Sequence, residues 1–182
     1  HEAEVLKETP KVQVRAVGHW IIKCRRSGVA RAVVTPGQNR ERHQCAWRAG
    51  HYLRAHGIRA PEPLAYLEQG AAGVVTRSWH LFQNLLQYRD VETFLSQVIA
   101  EGADGIRLSS FLHYLAEALA SLEACGAWHG DLSGKNIYTR DGVHFYFIDL
   151  DAVEFKVPYD EARRMKNHVQ LYDSFCDALS DV

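Results

Sequence analysis

The stretch that decides the fold is WHGDLSGKNIY, residues 128–138, which follows a long apolar helix pattern. Asp131 and Asn136 stand five residues apart in it, and Asp149 follows Asn136 by thirteen residues at the end of an apolar strand pattern. Two carboxylates and an amide oxygen that meet in space suit Mg²⁺, which commonly shares the phosphate oxygens of a nucleotide as ligands. Taken singly, Asp131 and Asn136 are also common turn residues. Together the three groups predict a magnesium–nucleotide site.

The patterns around this stretch predict an α+β fold with two lobes. Strand patterns at 12–16, 19–24, 31–35 and 73–79 and a helix pattern at 39–56 predict a small antiparallel β-rich lobe over residues 1–78. Residues 79–182 read as mainly helical, with helices at 91–102, 109–126 and 159–179 and short strands at 136–139 and 144–148. The quoted stretch is predicted to lie where the two lobes meet.

Two of these helices carry apolar residues at helical spacing, which predicts one buried face on each. The first set is Phe111, Leu112, Leu115, Leu119 and Leu122, and the second is Met165, Val169, Tyr172, Cys176 and Leu179. Ser109 or Ser110 is predicted to cap the start of the 109–126 helix, and Gly126 to end it.

The composition favours an ordinary globular protein of a reducing compartment. The chain of 182 residues has 21 basic and 22 acidic residues, which excludes the strong positive charge typical of nucleic-acid binding. Its four cysteines are widely spaced, which favours buried free thiols over disulfides or a zinc site. No apolar run of about 18 residues and no signal peptide is apparent, so a cytoplasmic location is expected. The start at His1 instead of Met is typical of a trimmed or processed chain.

Several motifs resemble known kinases. His129, Asp131 and Asn136, followed by Asp149, resemble the catalytic loop and metal-binding Asp of the protein-kinase-like superfamily. The run HGDLSGKNI, with Gly130 where many protein kinases have Arg, is similar to the small-molecule branch, such as aminoglycoside and choline kinases.

Three further segments resemble the bacterial lipopolysaccharide core and Kdo kinase family. They are IDLD (148–151), LRAHGIRAPEPLA (53–65) and RRMKNHVQLYDSF (163–175). The resemblance implies a protein-kinase-like two-lobe fold with a shortened, mainly α-helical second lobe.

The resemblance also implies a role for each group of the loop. Asp131 would be the catalytic base for an attacking hydroxyl, and Asn136 and Asp149 would hold Mg²⁺ beside the ATP phosphates. His129 would be a scaffold that ties the loop to the Asp149 segment. Asp151 would add a carboxylate for metal, with a solvated or helix-capping Asp as the alternative. Lys135 would contact the transferred phosphate, with simple exposure as the alternative.

The first lobe has one residue that matches the kinase pattern and two places that depart from it. Lys23, inside WIIKC (20–24), resembles the strand lysine that contacts the α and β phosphates, the alternative being an edge lysine in solvent. Its usual helix glutamate aligns near Ala46, and the nearest acidic candidate is Glu41. In place of a glycine-rich loop the chain has LKETPKVQV (6–14).

The adenine-binding hinge is predicted at VVTRSW (74–79), with Thr76, Arg77 and Ser78 as nucleotide contacts. The α-rich lobe ends about 30 residues after Asp149, which favours a small or carbohydrate acceptor over a protein.

The expected function is therefore ATP- and Mg²⁺-dependent phosphorylation of a sugar hydroxyl, in Kdo or heptose of the lipopolysaccharide core, with a carbohydrate or glycolipid acceptor. Two alternatives remain open at the level of sequence: a pseudokinase that acts as a binding module, and another small-molecule kinase. The basic cluster Arg163, Arg164 and Lys166 is either a solvated face or a peripheral contact with the cytoplasmic face of the inner membrane.

Overall fold

The computed structural model describes residues 3–26, 38–71, 74–156 and 159–180, and the side chains of 38–41 and 178 lie outside the description. The chain divides into two compact units. The first comprises the residues up to His51 together with Pro61–Leu86, and the second comprises Tyr52–Ala60 and the residues from Gln87 onward.

The first unit contains a five-stranded antiparallel sheet with the strand order β1-β2-β3-β5-β4. Its strands are β1 (Glu4–Glu8), β2 (Val12–Val17), β3 (Trp20–Arg26), β4 (Pro63–Ala71) and β5 (Val74–Gln83). The strands predicted at 12–16 and 19–24 are confirmed as β2 and β3. The strand predicted at 31–35 falls outside the described residues.

Helix α1 spans Gln38–Ala55 and confirms the helix predicted at 39–56. Strand β5, by contrast, does not end at Trp79 as predicted, and the predicted lobe boundary after residue 78 falls inside it. The strand continues because residues through Gln83 pair with both neighbours, for example Gln83 with Trp20 of β3 and Phe82 with Pro63 of β4. The chain last passes from the first unit to the second after Leu86, and the hinge predicted at 74–79 lies within β5 and stays a prediction.

The second unit contains three helices of its own among the described residues: α2 (Val91–Ala100), α3 (Gly105–Ala124) and α4 (Glu161–Ser180). The predicted serine cap of α3 is wrong. Asp104 is the N-cap, and its carboxylate accepts a hydrogen bond from the Arg107 backbone N–H at 2.8 Å, so the helix begins a turn earlier. The predicted stop is confirmed, since Gly126 has a φ of +68°, a conformation that glycine adopts without strain.

The helix faces follow the prediction only in part. In α3, Phe111, Leu115 and Leu122 are buried as predicted, each burial being worth about 1.5–3 kcal/mol, whereas Leu112 is 51% exposed. In α4 the predicted face is wrong, since Met165, Val169, Tyr172 and Leu179 are all exposed. Among the described side chains of α4, the buried ones are Asn167, Leu171 and Ser174. Both stripes have helical spacing, but two of the buried residues are polar, so an apolar pattern does not reveal them.

Short strands position the segments on either side of the predicted site. Strand β7 (Ala127–His129) pairs with β10 (Val153–Phe155), and β8 (Ile137–Thr139) pairs with both β6 (Arg89–Asp90) and β9 (Phe145–Phe147). The loop 130–136 therefore leaves β7 and enters β8, while the segment 148–152 leaves β9 and enters β10. The strands predicted at 136–139 and 144–148 are confirmed as β8 and β9.

The state of the cysteines agrees in part with the prediction of buried free thiols. The four cysteines are free thiols, of which Cys24 is buried and Cys176 is exposed, so the prediction of burial does not hold for all of them. None of the helices in the described residues combines the length and the apolar character that crossing a bilayer requires.

Candidate active site

The loop 130–136 lies directly against the segment 148–152 within the second unit. The Gly130 backbone N–H donates a hydrogen bond to the Ala152 carbonyl at 2.9 Å. A Cβ atom at position 130 would lie 2.8 Å from the same carbonyl oxygen, closer than real Cβ contacts allow. Because the obstacle is backbone, it cannot rotate away. This close approach explains why the position carries glycine, where many protein kinases have arginine.

His129 joins the two segments through its ring. The side chain is fully buried, its Nε2 donates to the Ile148 carbonyl at 2.9 Å, and its Nδ1 accepts from the Asp131 backbone N–H at 3.3 Å. One donor and one acceptor correspond to a neutral imidazole. This is the arrangement that a scaffold residue requires, while any part of His129 in catalysis stays a prediction.

The charges of three carboxylates act on the His129 ring. Burial lowers the pKa of His129, while the hydrogen bond to the Ile148 carbonyl and, after it, the negative charges of Asp131, Asp149 and Asp151 oppose this shift. Burial is the larger effect, so the ring stays neutral at physiological pH. The ring is thus bonded to the backbone of Asp131 and to that of Ile148, the residue before Asp149.

Asn136 is held so that its side-chain oxygen can accept a ligand. It ends the 3₁₀ turn Gly134–Asn136, its Nδ2 donates to the Asp131 carbonyl at 2.9 Å, and its own carbonyl accepts from the Ile148 N–H at 2.9 Å. Among the described residues no hydrogen bond occupies its Oδ1. The amide is therefore fixed by its nitrogen, with its oxygen left for a cation.

Asp149 has an uncommon backbone conformation. Its φ of 52° and ψ of 49° lie in the left-handed region, where among the described residues only one other non-glycine residue, Lys156, also has a positive φ. Such conformations cost energy in most residues and cluster at functional sites, although Asp tolerates them better than bulky residues do. The side chain is exposed immediately after β9. Asp151 follows in the 3₁₀ turn Leu150–Ala152 and is half-buried.

The donor set fits Mg²⁺. In the part of the chain that the structure describes, no cluster of three or more His, Cys, Asp or Glu side chains could enclose a metal ion by itself. Mg²⁺ does not need such a cage, because it usually takes one or two protein oxygens together with phosphate oxygens and water. The Asn136 oxygen and the Asp149 carboxylate are donors of this type, and metal contacts of Asn136, Asp149 and Asp151 stay predictions.

Lys135 lies beside this site on the loop. Its side chain is 77% exposed, and its Nζ lies 3.8 Å from Oε2 of Glu92 on α2. Simple exposure to solvent, the alternative to phosphate contact, therefore describes most of the Lys135 side chain. Contact with a transferred phosphate stays a prediction for Lys135.

In the first unit, Lys23 faces two histidines that the sequence reading missed. Lys23 is half-buried in β3, opposite His80 of β5 in the strand register. The ring of His43, on α1, is fully buried and forms a hydrogen bond between its Nδ1 and the Ser78 hydroxyl at 2.9 Å. Ala46, where the kinase pattern has an acid, is also buried.

Both histidines are held neutral. Burial is the main cause that lowers the pKa of His43 to about 3 and that of His80 to about 4, and the positive charge of Lys23 lowers both further. The sequence offered a weak signal for His80, which lies among the apolar residues of SWHLF in a strand pattern. No sequence signal pointed to His43, because it lies one helical turn away from Ala46, the position where the kinase pattern has an acid.

The other residues predicted for nucleotide binding lie in β5 or at the edge of the description. Glu41 belongs to α1, but its side chain lies outside the described residues. Thr76 donates to the Gln69 carbonyl at 3.2 Å, and Ser78 is fully buried against His43. Since Thr76, Arg77 and Ser78 lie within a strand and before the link between the units, their contact with adenine stays a prediction.

Solved structures share this fold. A structure of WaaP in complex with acyl carrier protein superposes with a TM-score of 0.71 at 21% identity, covering 97% of this chain and 72% of that one. A structure of monomeric WbdD gives a TM-score of 0.63 at 20% identity, and one of the bifunctional kinase–methyltransferase WbdD gives 0.60 at 19%. This chain spans only 37% and 34% of those two chains, while 90% of it is covered in both. These likenesses confirm the protein-kinase-like α+β fold.

No curated protein sequence matches the chain. A sequence model of the lipopolysaccharide kinase (Kdo/WaaP) family matches it over residues 5–181, almost its whole length. The family predicted from IDLD, LRAHGIRAPEPLA and RRMKNHVQLYDSF is therefore confirmed: this chain belongs to the lipopolysaccharide kinase (Kdo/WaaP) family.

Proposed function

We propose that this kinase transfers the γ-phosphate of ATP to a sugar hydroxyl of the lipopolysaccharide core, in Kdo or heptose, with Mg²⁺ as cofactor. The observation that carries the proposal is the position of His129. Its buried ring bonds both to the loop that carries Asp131 and Asn136 and to the segment that carries Asp149. This link between the two backbone segments supports a role of Asp131 as proton acceptor and of Asn136 and Asp149 as metal ligands.

The chemistry follows from these positions. The Asp131 carboxylate, which is exposed, accepts the proton of the acceptor hydroxyl as that oxygen forms its bond to the γ-phosphorus. The bond between the γ-phosphorus and the β,γ-bridging oxygen breaks, and ADP leaves. Asn136 and Asp149 would hold the metal ion, and the ion would neutralise charge on the phosphate oxygens. In the first unit, Lys23 binds the α and β phosphates.

The basic cluster of α4 has partners within the chain. Arg163 donates to Glu154 at 2.8 Å, Arg164 pairs with Glu123, and Lys166 lies 4.8 Å from the centre of the Trp128 ring. The proposed function therefore does not depend on a membrane contact of these residues. Co-sedimentation with anionic liposomes, compared with neutral ones, tests that contact separately.

A transfer assay tests the proposal. Purified chain is incubated with Mg-ATP and, in turn, with Kdo-containing lipid, heptosylated core oligosaccharide and an aminoglycoside, and the products are analysed by mass spectrometry. We expect one added phosphate on a core sugar and none on the aminoglycoside. Phosphorylation of the aminoglycoside alone would instead support the alternative that the chain is another small-molecule kinase. Failure to bind ATP or ADP with Mg²⁺ at near-millimolar concentrations would overturn it.

A second candidate function, a binding module without transferase activity, is favoured by one region. The turn between β1 and β2 contains no glycine, and the Thr9 hydroxyl closes it by accepting from the Val12 N–H at 2.9 Å. The helix position expected to carry an acid is Ala46. Unchanged cellular function after Asp131→Asn would support this candidate, whereas loss of function would support the kinase.

A further inference from the structure

Helix α4 contacts the backbone of the loop 130–136 at three points. Gln170 accepts from the Leu132 N–H at 3.2 Å and donates to the Gly130 carbonyl at 3.4 Å. One helical turn later, the buried Ser174 hydroxyl accepts from the Gly134 N–H at 2.8 Å. A polar face of α4, the one that the apolar pattern did not reveal, is thus the support on which the loop rests.

Glu92 of α2 completes this support. It is 9% exposed, its Oε1 accepts a hydrogen bond from the Ser174 hydroxyl, and its Oε2 faces Lys135. A buried carboxylate is costly unless it is paired, so a Glu at this place needs both partners. The packing leaves no spare room, since a Cβ at Gly134 would lie 2.6 Å from Glu92 Cγ and 3.1 Å from Ser174 Oγ.

The position of Gly134 affects two residues of the proposed chemistry. Gly134 begins the 3₁₀ turn that ends at Asn136, and the Asn136 side chain donates to the Asp131 carbonyl at 2.9 Å. A shift at Gly134 therefore changes where both Asn136 and Asp131 stand. Misplacement of reacting groups by about 1 Å can lower a rate about 100-fold.

We propose that Glu92 and Ser174 are positioning residues for phosphoryl transfer, because together they fix the Gly134 backbone and thereby the positions of Asp131 and Asn136. Neither residue touches the reacting atoms. The inference rests on the proposed function and adds to it two residues, from α2 and α4, that lie far from the loop in the sequence.

Two substitutions with matched controls test this role. Ser174→Ala removes the hydroxyl that bridges Glu92 and Gly134, and Glu92→Gln keeps an oxygen for Ser174 but removes the charge beside Lys135. The controls are Ser121→Ala and Glu117→Gln, which change the same residue types on the exposed surface of α3. Turnover, the KM values for ATP and acceptor, and hydrogen exchange of the 131–136 amides are measured for each variant.

We expect Ser174→Ala to lower kcat about 10- to 100-fold, with the KM for the acceptor within about threefold of wild type. Its 131–136 amides should exchange faster, while those of α3 stay as protected as in the control. Glu92→Gln should lower kcat less and serves as the deciding variant if Ser174→Ala does not fold. Equal kcat and equal loop exchange in these variants and their controls would overturn the inference. A wild-type chain without transferase activity would instead remove the proposed function itself.

Discussion

The two regions that carry the kinase motifs differ in how they hold their buried histidines. His129, in the second unit, has partners at both ring nitrogens, and the negative charges of three carboxylates act on its ring. His43 and His80, in the first unit, each keep a buried Nε2 for which the described residues offer no hydrogen-bond partner, and both feel the positive charge of Lys23. The two hydrogen bonds of His129 fix the loop 130–136. The burial and the positive charge around His43 and His80 favour neutral rings.

From this difference we expect phosphoryl transfer to depend on the region of His129. We expect the stability of the fold in acid to depend on the region of His43 and His80. Substitutions beside His129 should affect phosphoryl transfer most, because the ring is bonded to the two backbone segments that carry the proposed catalytic and metal-binding residues. Changes beside His43 should affect stability as a function of pH, because protonation there would place a further cation next to Lys23.

Asp131→Asn should have the largest effect. The substitution keeps the shape of an exposed side chain but removes the proton acceptor, so kcat should fall about 10²- to 10⁴-fold with little change in the free energy of unfolding. Steady-state transfer kinetics and urea unfolding measure the two quantities. Wild-type turnover in this variant would show that Asp131 is not the base.

Lowering the pH should destabilise the protein through His43 and His80. Their pKa values are about 3 and about 4 in the folded protein but near 6.5 when unfolded, so the unfolded chain binds more protons between these values. Stability should therefore fall as the pH decreases from about 6.5 toward 4, by up to about 1.4 kcal/mol per pH unit for each histidine.

Urea unfolding at pH 7 and pH 5 measures this fall. His43→Asn should flatten the pH dependence, whereas His113→Asn, on the exposed surface of α3, should leave it unchanged. Some dependence should persist in His43→Asn because the pKa values of His80 and His129 are also lowered. Identical pH slopes in wild type and His43→Asn would contradict this account of the first region.

Gly130→Ala should cost about 1–3 kcal/mol of stability, because the added Cβ would lie 2.8 Å from the Ala152 carbonyl oxygen. Turnover should fall as well, since the loop beside His129 would have to move. Gly105→Ala at the start of α3 is the matched control, since a Cβ there meets nothing within 4 Å. Equal stabilities of the two variants would mean that the close approach at Gly130 is not required.

Asp104→Ala should have the smallest effect. It removes the N-cap of α3, which typically costs about 1 kcal/mol, and it touches neither histidine region. Thermal unfolding should detect the loss, while kcat and the pH slope of stability should match wild type. A drop in kcat comparable to that of Gly130→Ala would show that general destabilisation, and not the loop, controls activity.

The sequence predicted the second region far better than the first, for a physical reason. His129, Asp131, Asn136 and Asp149 lie within 21 residues, and short strands return the chain to the same place, so spacing alone brings them together. The support of the loop by Glu92 and Ser174 could not be predicted in this way, because it joins residues 82 positions apart.

The first region depends on contacts across a sheet and a helix. Lys23 was found because a lysine inside an apolar strand pattern is conspicuous, but its neighbours come from β5 and α1. Strand β5 extends to Gln83, beyond the end predicted at Trp79, because pairing with β3 and β4 decides where it ends and this pairing is not visible in the local pattern. In α4 the periodicity predicted the helix correctly, while the polar residues Asn167 and Ser174 concealed which face is buried.

Nucleotide binding with and without metal tests the central claim most directly. ADP is titrated by calorimetry, in the presence and absence of Mg²⁺, into wild type, Asn136→Ala, Asp149→Ala and Asp131→Asn. We predict that Mg²⁺ strengthens ADP binding to wild type and to Asp131→Asn, and that this gain disappears in Asn136→Ala and Asp149→Ala. Equal ADP affinity with and without Mg²⁺ in all four proteins would contradict the assignment of this loop as a kinase active site.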